Sequence, residues 1–92
     1  METNFQMLRA LNEEYDKKPH TRGFITAEDI KLVKSTLCLD QMDVLALRNL
    51  RDFTVLFLSG EKDPAKAYDN MDKISAYVSV IDREIVSKGG EV

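Results

Sequence analysis

The sequence contains few of the residues that build metal sites or disulfides, because its 92 residues include one cysteine, Cys38, and one histidine, His20. A lone cysteine excludes a disulfide within the chain, and one cysteine with one histidine cannot supply the ligands of a structural zinc site. No helical His-x-x-x-His or Glu-x-x-His spacing occurs, and residues 40–43 do not follow the pattern of a calcium-binding EF-hand. We therefore expect neither a metal ion nor a cofactor.

Catalytic groups are equally scarce. A dyad of Cys38 and His20 would need the loop that carries the histidine to fold back over the cysteine, and no third group is evident to orient it. Adjacent carboxylates such as Glu13 and Glu14 diverge around a helix, so they do not share one site. No glycine-rich loop precedes a helix in the way that phosphate binding requires. The sequence predicts a protein that is not an enzyme.

Long apolar runs are also missing. Uninterrupted apolar runs, such as Val55–Leu58, reach four residues, far fewer than the roughly 18 that span a bilayer. No signal peptide is visible, since Glu2 and Arg9 stand where its apolar segment would begin. The amphipathic segments lack the lysine-rich face opposed by Trp or Phe that is typical of helices lying on membranes. Together with the single cysteine, these absences predict a soluble cytoplasmic protein that does not bind membranes.

The charge balance disfavours nucleic acid as a partner. The net charge of -3 arises from 16 acidic and 13 basic residues that are interspersed along the chain, so no strongly basic surface is expected. The apolar content of 43% is enough for a packed core, and the length of 92 residues corresponds to one domain, residues 1–92. A domain of this size buries about 60–65% of the surface that its unfolded chain exposes, so its stability should be modest unless it oligomerises.

Hydrophobic periodicity predicts four helices, and hence an all-α fold. The first two helices cover about residues 4–17 and 27–37, and each carries one apolar stripe: Phe5, Leu8, Leu11 and Tyr15 in the first, and Ile30, Val33 and Leu37 in the second. Two longer helices follow at about 40–59 and 64–88. The short turn between them forces an antiparallel hairpin, which the two short helices are expected to cover in part.

Two helix starts share one arrangement of residues. Thr26 can cap the second helix with Asp29 at its third position, and Asp40 can cap the third helix with Asp43 at its third position. Aspartate is shorter than the Glu or Gln of a capping box, which argues against the reciprocal side-chain bond. Between these two helices, Cys38 is predicted to be a small buried apolar residue.

The fourth helix begins with Asp63 as its cap and Pro64 at its first position. Just before it, Gly60 can take the left-handed conformation that ends the third helix. Along the fourth helix, apolar residues follow one another with the spacing of a coiled-coil seam: Ala67, Met71, Ile74, Val78, Ile81 and Ile85.

The two long helices differ in length, roughly 28 Å against 38 Å at 1.5 Å per residue. The distal end of the seam, at Ile81 and Ile85 with Val86, should therefore extend past the start of its partner helix and protrude. Full burial of each isoleucine is worth about 1.5–3 kcal/mol. We therefore expect a homodimer, or a partner protein, to cover this end.

These features predict a small protein-interaction module that acts as a regulator, adaptor or inhibitor through a helical surface, as small bacterial and phage proteins commonly do. Two groups of residues are candidates for that surface: Ile81, Ile85 and Tyr77 at the end of the seam, and Phe5 and Tyr15 on the first helix. The alternative for both groups is an ordinary place in the core.

A nucleic-acid-binding regulator of the helix-turn-helix type is the alternative function, because residues 26–58 offer a helix, a short joint and a second helix. The basic residues for such a contact are Lys17, Lys18, His20 and Arg22 in the most basic loop of the chain, with Arg48 and Arg51 on the third helix. In this motif the first turn of the second helix faces the major groove. Here that turn carries Asp40 and Asp43, whose carboxylates would meet DNA phosphates unfavourably, so the sequence disfavours this function.

Overall fold

The computed structural model describes residues 3–18 and 24–91, and within them the chain forms four α-helices, one short 3-10 helix and no strand. The helices are α1 (Asn4–Asp16), α2 (Ala27–Thr36), α3 (Val44–Ser59) and α4 (Pro64–Ser87), with the 3-10 helix at Leu39–Gln41. α3 and α4 pack along each other as an antiparallel hairpin, and the shorter α1 and α2 lie against it. The predicted all-α, four-helix architecture is confirmed.

Side chains close the starts of α2 and α4 as the sequence predicts. At α2 the hydroxyl of Thr26 accepts a hydrogen bond from the N–H of Asp29 at 3.2 Å, and the Asp29 carboxylate accepts one from the N–H of Thr26 at 3.1 Å. The argument against this reciprocal bond is therefore wrong, because the short aspartate side chain does complete the capping box. At α4, Asp63 accepts a hydrogen bond from the N–H of Ala65 at 3.0 Å, and Pro64 is the first helical residue.

α3 begins at Val44 rather than near residue 40, so its predicted start is wrong. Cys38 has the left-handed φ of 54°, which stops α2 and directs the chain into the 3-10 helix. The cap of α3 is then Asp43, whose carboxylate accepts a hydrogen bond from the N–H of Ala46 at 2.8 Å. Asp40 lies inside the 3-10 helix and caps nothing.

Cys38 is exposed, so the prediction that it is buried is also wrong. Its neighbours Leu37 and Leu39 are both buried in the core. The left-handed turn between them allows both leucines to point inward, and it leaves Cys38 facing outward. The thiol donates a weak hydrogen bond to the carbonyl of Ser35 at 3.7 Å.

The end of α3 does not use a left-handed glycine, because Gly60 has a right-handed φ of -77°. The side-chain amide of Asn70 instead donates to the carbonyl of Leu58 at 3.2 Å and satisfies one of the carbonyls that a helix end leaves open. This hydrogen bond also joins α4 to α3 close to the turn of the hairpin. The left-handed glycine is Gly89, with a φ of 86°, which follows α4.

One hydrophobic core joins all four α-helices and the 3-10 helix. Its buried members are Met7, Leu8, Leu11, Tyr15, Val33, Leu37, Leu39, Leu47, Leu50, Leu58, Tyr77, Val80, Ile81 and Ile85. Thr54 is a buried polar residue beside them, and its hydroxyl donates to the carbonyl of Leu50 at 2.7 Å. That bond satisfies the hydroxyl within α3, so the core needs no further polar partner there.

The two isoleucines at the end of the seam do not protrude, because Ile81 is 0% and Ile85 is 1% exposed, whereas Val86 beside them is 59% exposed. α2, the 3-10 helix and the residues after α4 pack over this end of the hairpin. Lys34 of α2 pairs with Glu84 of α4 at 3.4 Å, and Gly90 lies so close that a Cβ there would come within 2.7 Å of Ile85. The prediction of protruding isoleucines is wrong because helix lengths alone do not show where the short helices dock.

Candidate interaction surface

Four of the five residues that the sequence predicts for an interaction surface are buried instead. Tyr15, Tyr77, Ile81 and Ile85 all belong to the core. Phe5 alone among the five remains at the surface, with 45% of its area exposed. For the other four residues, the structure shows the alternative, which is an ordinary place in the core.

The two buried tyrosines join α1 to α4. The hydroxyl of Tyr77 donates to Oδ1 of Asn12 at 2.9 Å, and the rings of Tyr15 and Tyr77 meet edge to face with their centroids 5.4 Å apart. Burial raises the pKa of both hydroxyls, and nearby carboxylates such as that of Asp29 raise the pKa of Tyr15 further. Both hydroxyls therefore stay protonated at neutral pH and stabilise the fold.

Phe5 lies at one end of a row of aromatic rings. Its ring packs edge to face against Phe57 with centroids 5.3 Å apart, and Phe57 stacks on Phe53 at 5.9 Å. The guanidinium of Arg9 lies 5.7 Å from the centroid of the Phe5 ring, within the range of a cation–π contact. Phe5 therefore fastens the start of α1 to α3, and only part of its ring is available to another molecule.

Large apolar side chains are exposed in the half of the hairpin next to its turn. These residues, with their exposed fractions, are Val55 at 37%, Leu56 at 72%, Tyr68 at 60% and Met71 at 67%. We call these four residues the tip surface. The hydrogen bond from Asn70 to Leu58 lies among the same helical turns, so all four residues lie at the same level of the hairpin. Leu56 and Tyr68 are each two residues, about 200°, from this bond and face outward from their helices.

Val55 and Met71 of the tip surface lie on the side of the hairpin that α1 does not cover. α1 reaches α3 at Phe57, and it reaches α4 at Lys73, whose ammonium lies 2.8 Å from the carboxylate of Asp16. Val55 and Met71 are each two residues away from these contacts, which is about 200° around the helix. α1 therefore packs on the opposite side from Val55 and Met71.

The sequence analysis missed this surface although it identified the seam to which Met71 belongs. The seam runs from Ala67 to Ile85, and its exposed end is the one near the turn of the hairpin. Heptad spacing identifies the apolar face of a helix. Because the spacing is the same along the whole face, it does not indicate which end of the face is exposed. The one available signal is composition, since Met71 and Tyr68 lie at the exposed end and isoleucines lie at the buried end.

Arg48 and Arg51, which the sequence offers for contact with nucleic acid, are engaged within the chain. Nε of Arg51 lies 2.7 Å from the carboxylate of Asp82 and joins α3 to α4. Nη2 of Arg48 donates to the backbone carbonyl of Glu91 at 2.5 Å. Both guanidinium groups therefore hold parts of the fold together, which leaves less positive charge free for a phosphate backbone.

The basic loop is partly neutralised. Lys17 lies 3.0 Å from the carboxylate of Glu14, and Lys18 pairs with another carboxylate at 4.0 Å. The other two members of this predicted group, His20 and Arg22, lie outside the described residues. None of these observed contacts favours nucleic-acid binding over the protein-interaction function.

No group of three or more His, Cys, Asp or Glu residues that could hold a metal ion occurs in residues 3–18 and 24–91. A depression of about 550 Å³ lies near the turn of the hairpin, and its lining includes Asn12, Phe57 and the pair formed by Asp16 and Lys73. The depression is open, and this charged pair is already satisfied, so it differs from the enclosed clefts that bind small substrates.

No helix among the described residues combines the length and the apolar character needed to cross a membrane. Comparison of the chain with protein-family models, with curated protein sequences and with solved structures gives no significant match.

Proposed function

We propose that this chain is a protein-interaction module that acts as a regulator, adaptor or inhibitor, and that it binds its partner through the tip surface without catalysing a reaction. The observation that carries this proposal is the exposure of Leu56, Tyr68 and Met71 within a few helical turns of one another. At the other end of the same hairpin Ile81 and Ile85 are buried while Leu45 and Val86 are exposed, so the larger group of exposed apolar side chains lies near the turn. We propose that it acts in the cytoplasm, which the single cysteine and the short apolar runs of the sequence support.

The energetic argument favours a second copy of the chain as the first partner to test. With about two thirds of each side chain exposed, the three large residues hold roughly 3–6 kcal/mol of unused burial energy. Association costs about 4–15 kcal/mol before any contact is counted. A symmetric dimer presents the same patch twice and so doubles the gain to roughly 6–12 kcal/mol. A different protein would have to supply apolar surface of its own.

The chemistry of the tip surface also supports an interface. Met71 has a flexible side chain that adapts to an irregular partner surface, and Tyr68 combines a large apolar ring with a polar hydroxyl; both residue types are enriched at protein interfaces. Arg51 lies one turn before Val55 on α3, and its ion pair with Asp82 therefore borders the tip surface. This arrangement of an apolar centre beside a polar rim is typical of interfaces.

Light scattering of the purified chain and of Met71→Asp tests self-association. We expect the mass of two chains for the wild type and of one chain for the variant, with unchanged helix content because Met71 is exposed. Ala10→Asp is the matched control, since Ala10 is exposed on α1 and the substitution adds the same single charge. The control should keep the mass of the wild type.

If light scattering gives the mass of one chain for the wild type, the next step is to search for a different protein as the partner. A photo-crosslinking residue is then placed at position 71, and in a second variant at position 10, and both are activated in a lysate of the native host. A protein that is crosslinked from position 71 and not from position 10 supports a separate partner. The proposed function is refuted by a monomeric wild type together with no adduct specific to position 71.

A further inference from the structure

The side chain of Lys88, the residue after α4, ends in a cup of backbone carbonyl groups. Its ammonium donates hydrogen bonds to the carbonyls of Leu39 at 2.9 Å and of Asp40 at 3.1 Å, and it donates a further one to the carbonyl of Met42. An ammonium group has three N–H donors and no acceptor, so one carbonyl for each donor satisfies it fully. The segment from Leu39 to Met42 therefore surrounds a single positive charge.

These carbonyls belong to a place where a cation is favoured. They lie on the 3-10 helix Leu39–Gln41 and directly after it. The carbonyl of Leu39 also accepts the N–H of Met42 at 3.1 Å, whereas the carbonyls of Asp40 and Met42 lie at the end of this short helix, where carbonyls are left open and carry partial negative charge. Backbone carbonyls that converge on one point are also how proteins replace the hydration shell of a monovalent cation. The other lysines with observed ion pairs differ, since Lys17, Lys34 and Lys73 pair with carboxylates.

We propose that the segment from Leu39 to Met42 is a binding site for a small cation of the primary ammonium class, and that Lys88 occupies it as a tethered ligand. The site holds the end of the chain over the core. Gly90, two residues after Lys88, donates its N–H to the carbonyl of Ile85 at 2.9 Å and lies against the side chains of Ile85 and Val44. Closure of this end of the hairpin therefore depends on the positive charge at residue 88.

This inference is independent of the proposed function, because none of its residues belongs to the tip surface. Removing the side chain in Lys88→Ala leaves the carbonyl cup empty and accessible to a free cation. We expect the melting temperature of this variant to fall by about 5–10 °C relative to the wild type. The control is Lys66→Ala, since Lys66 is exposed on α4 and the substitution removes the same charge and the same stem. The control should melt close to the wild type.

Methylammonium chloride then tests whether the empty cup binds an ammonium group. Increasing concentrations should raise the melting temperature of Lys88→Ala and recover at least half of its loss, while the wild type, whose cup is filled, should not respond. Tetramethylammonium chloride supplies the same charge and ionic strength but no N–H donor, so it should not restore the variant. Equal effects of the two salts, or a variant as stable as Lys66→Ala, would overturn the proposal.

Acetylation of the wild-type chain provides a readout that does not depend on a variant that folds. Under native conditions, a mild acetylating reagent should modify Lys88 about tenfold more slowly than Lys66, because the Lys88 ammonium must first leave its three carbonyls. Peptide mass spectrometry at several reaction times measures both rates. Equal rates for the two lysines would show that the ammonium does not occupy the cup, whatever the melting curves show.

Discussion

Replacing Ile81 by alanine tests whether the buried end of the seam is core or interface. Ile81 is fully buried in the core, where Tyr77, Val80 and Ile85 of the same helix are buried as well. The substitution removes three carbon atoms, which corresponds to about 2.4 kcal/mol at 0.8 kcal/mol per buried methylene. The cavity left between packed helices adds to this, so we expect a loss of about 3 kcal/mol, within the usual range of 2–5 kcal/mol.

Met71→Ala is the matched control, because Met71 lies on the same helix and in the same predicted seam but is two thirds exposed. Its replacement removes a similar apolar side chain without opening a cavity. At protein concentrations low enough for the chain to be monomeric, we expect a change within about 0.5 kcal/mol, as for most surface substitutions. The two replaced side chains therefore differ in how deeply they are buried, but both are apolar and similar in size.

Urea unfolding followed by circular dichroism measures both free energies, and light scattering records the mass of each variant in the same buffer. A chain of 92 residues has a free energy of unfolding of about 5–14 kcal/mol, so a loss of about 3 kcal/mol is a large fraction of it. The corresponding fall in melting temperature is about 12–24 °C. The slope of the free energy against urea should stay unchanged, since both variants bury nearly the same surface.

The reasoning is refuted if Ile81→Ala changes the free energy of unfolding no more than Met71→Ala does. A simultaneous fall in mass from two chains to one in Ile81→Ala would then identify the seam end as an interface after all. A loss for Met71→Ala that depends on protein concentration has a different meaning. It would show that Met71 is buried between copies, in agreement with the proposed function.

Two further predictions concern close packing and alkaline pH. Gly90→Ala should lower the melting temperature by about 5–20 °C, because the new Cβ would lie 2.7 Å from Cγ2 of Ile85. In the control, Gly60→Ala, the new Cβ meets only ordinary contacts, so the melting temperature should change little. Equal melting temperatures of the two variants would contradict the close approach at Gly90. Stability should be independent of tyrosine ionisation below about pH 10. Above it, Tyr77 should lower stability by about 1.4 kcal/mol per pH unit, because the unfolded chain releases this proton and the folded chain, in which burial raises the pKa of Tyr77, retains it. Tyr15, whose pKa burial also raises, should act in the same direction. Tyr77→Phe should therefore lower that slope in unfolding curves recorded at several pH values. Ionisation of Tyr77 without loss of helix would contradict this prediction.

The residues that start α2 and α4 agree with the sequence analysis. Thr26 with Asp29 starts α2, and Asp63 with Pro64 starts α4, because a cap forms between residues only two or three positions apart. The joint between α2 and α3 was harder to predict, because local spacing allows more than one cap there. Asp40 and Asp43 offer two equivalent local caps, and the core decides between them by burying Leu37 and Leu39 on both sides of the left-handed Cys38.

The position of the candidate interaction surface could not be predicted from local sequence patterns. The sequence identified an apolar seam on α4 and a need to cover it, but it assigned the exposed end to Ile81 and Ile85. The structure instead covers these residues with α2, the 3-10 helix and the end of the chain, and it exposes Met71 and Tyr68 near the turn. Only the tertiary structure therefore identifies the tip surface, on which the proposed function rests.

Periodicity and capping residues by themselves determined that this chain forms four helices, with the long pair in an antiparallel hairpin. Only the tertiary structure decided which end of that hairpin is covered. The physical reason is that the seam has the same spacing at both ends, whereas its cover depends on contacts between residues far apart in the chain. The bonds of Tyr77 to Asn12 and of Lys88 to Leu39 are of this kind, and no short segment of sequence contains both partners.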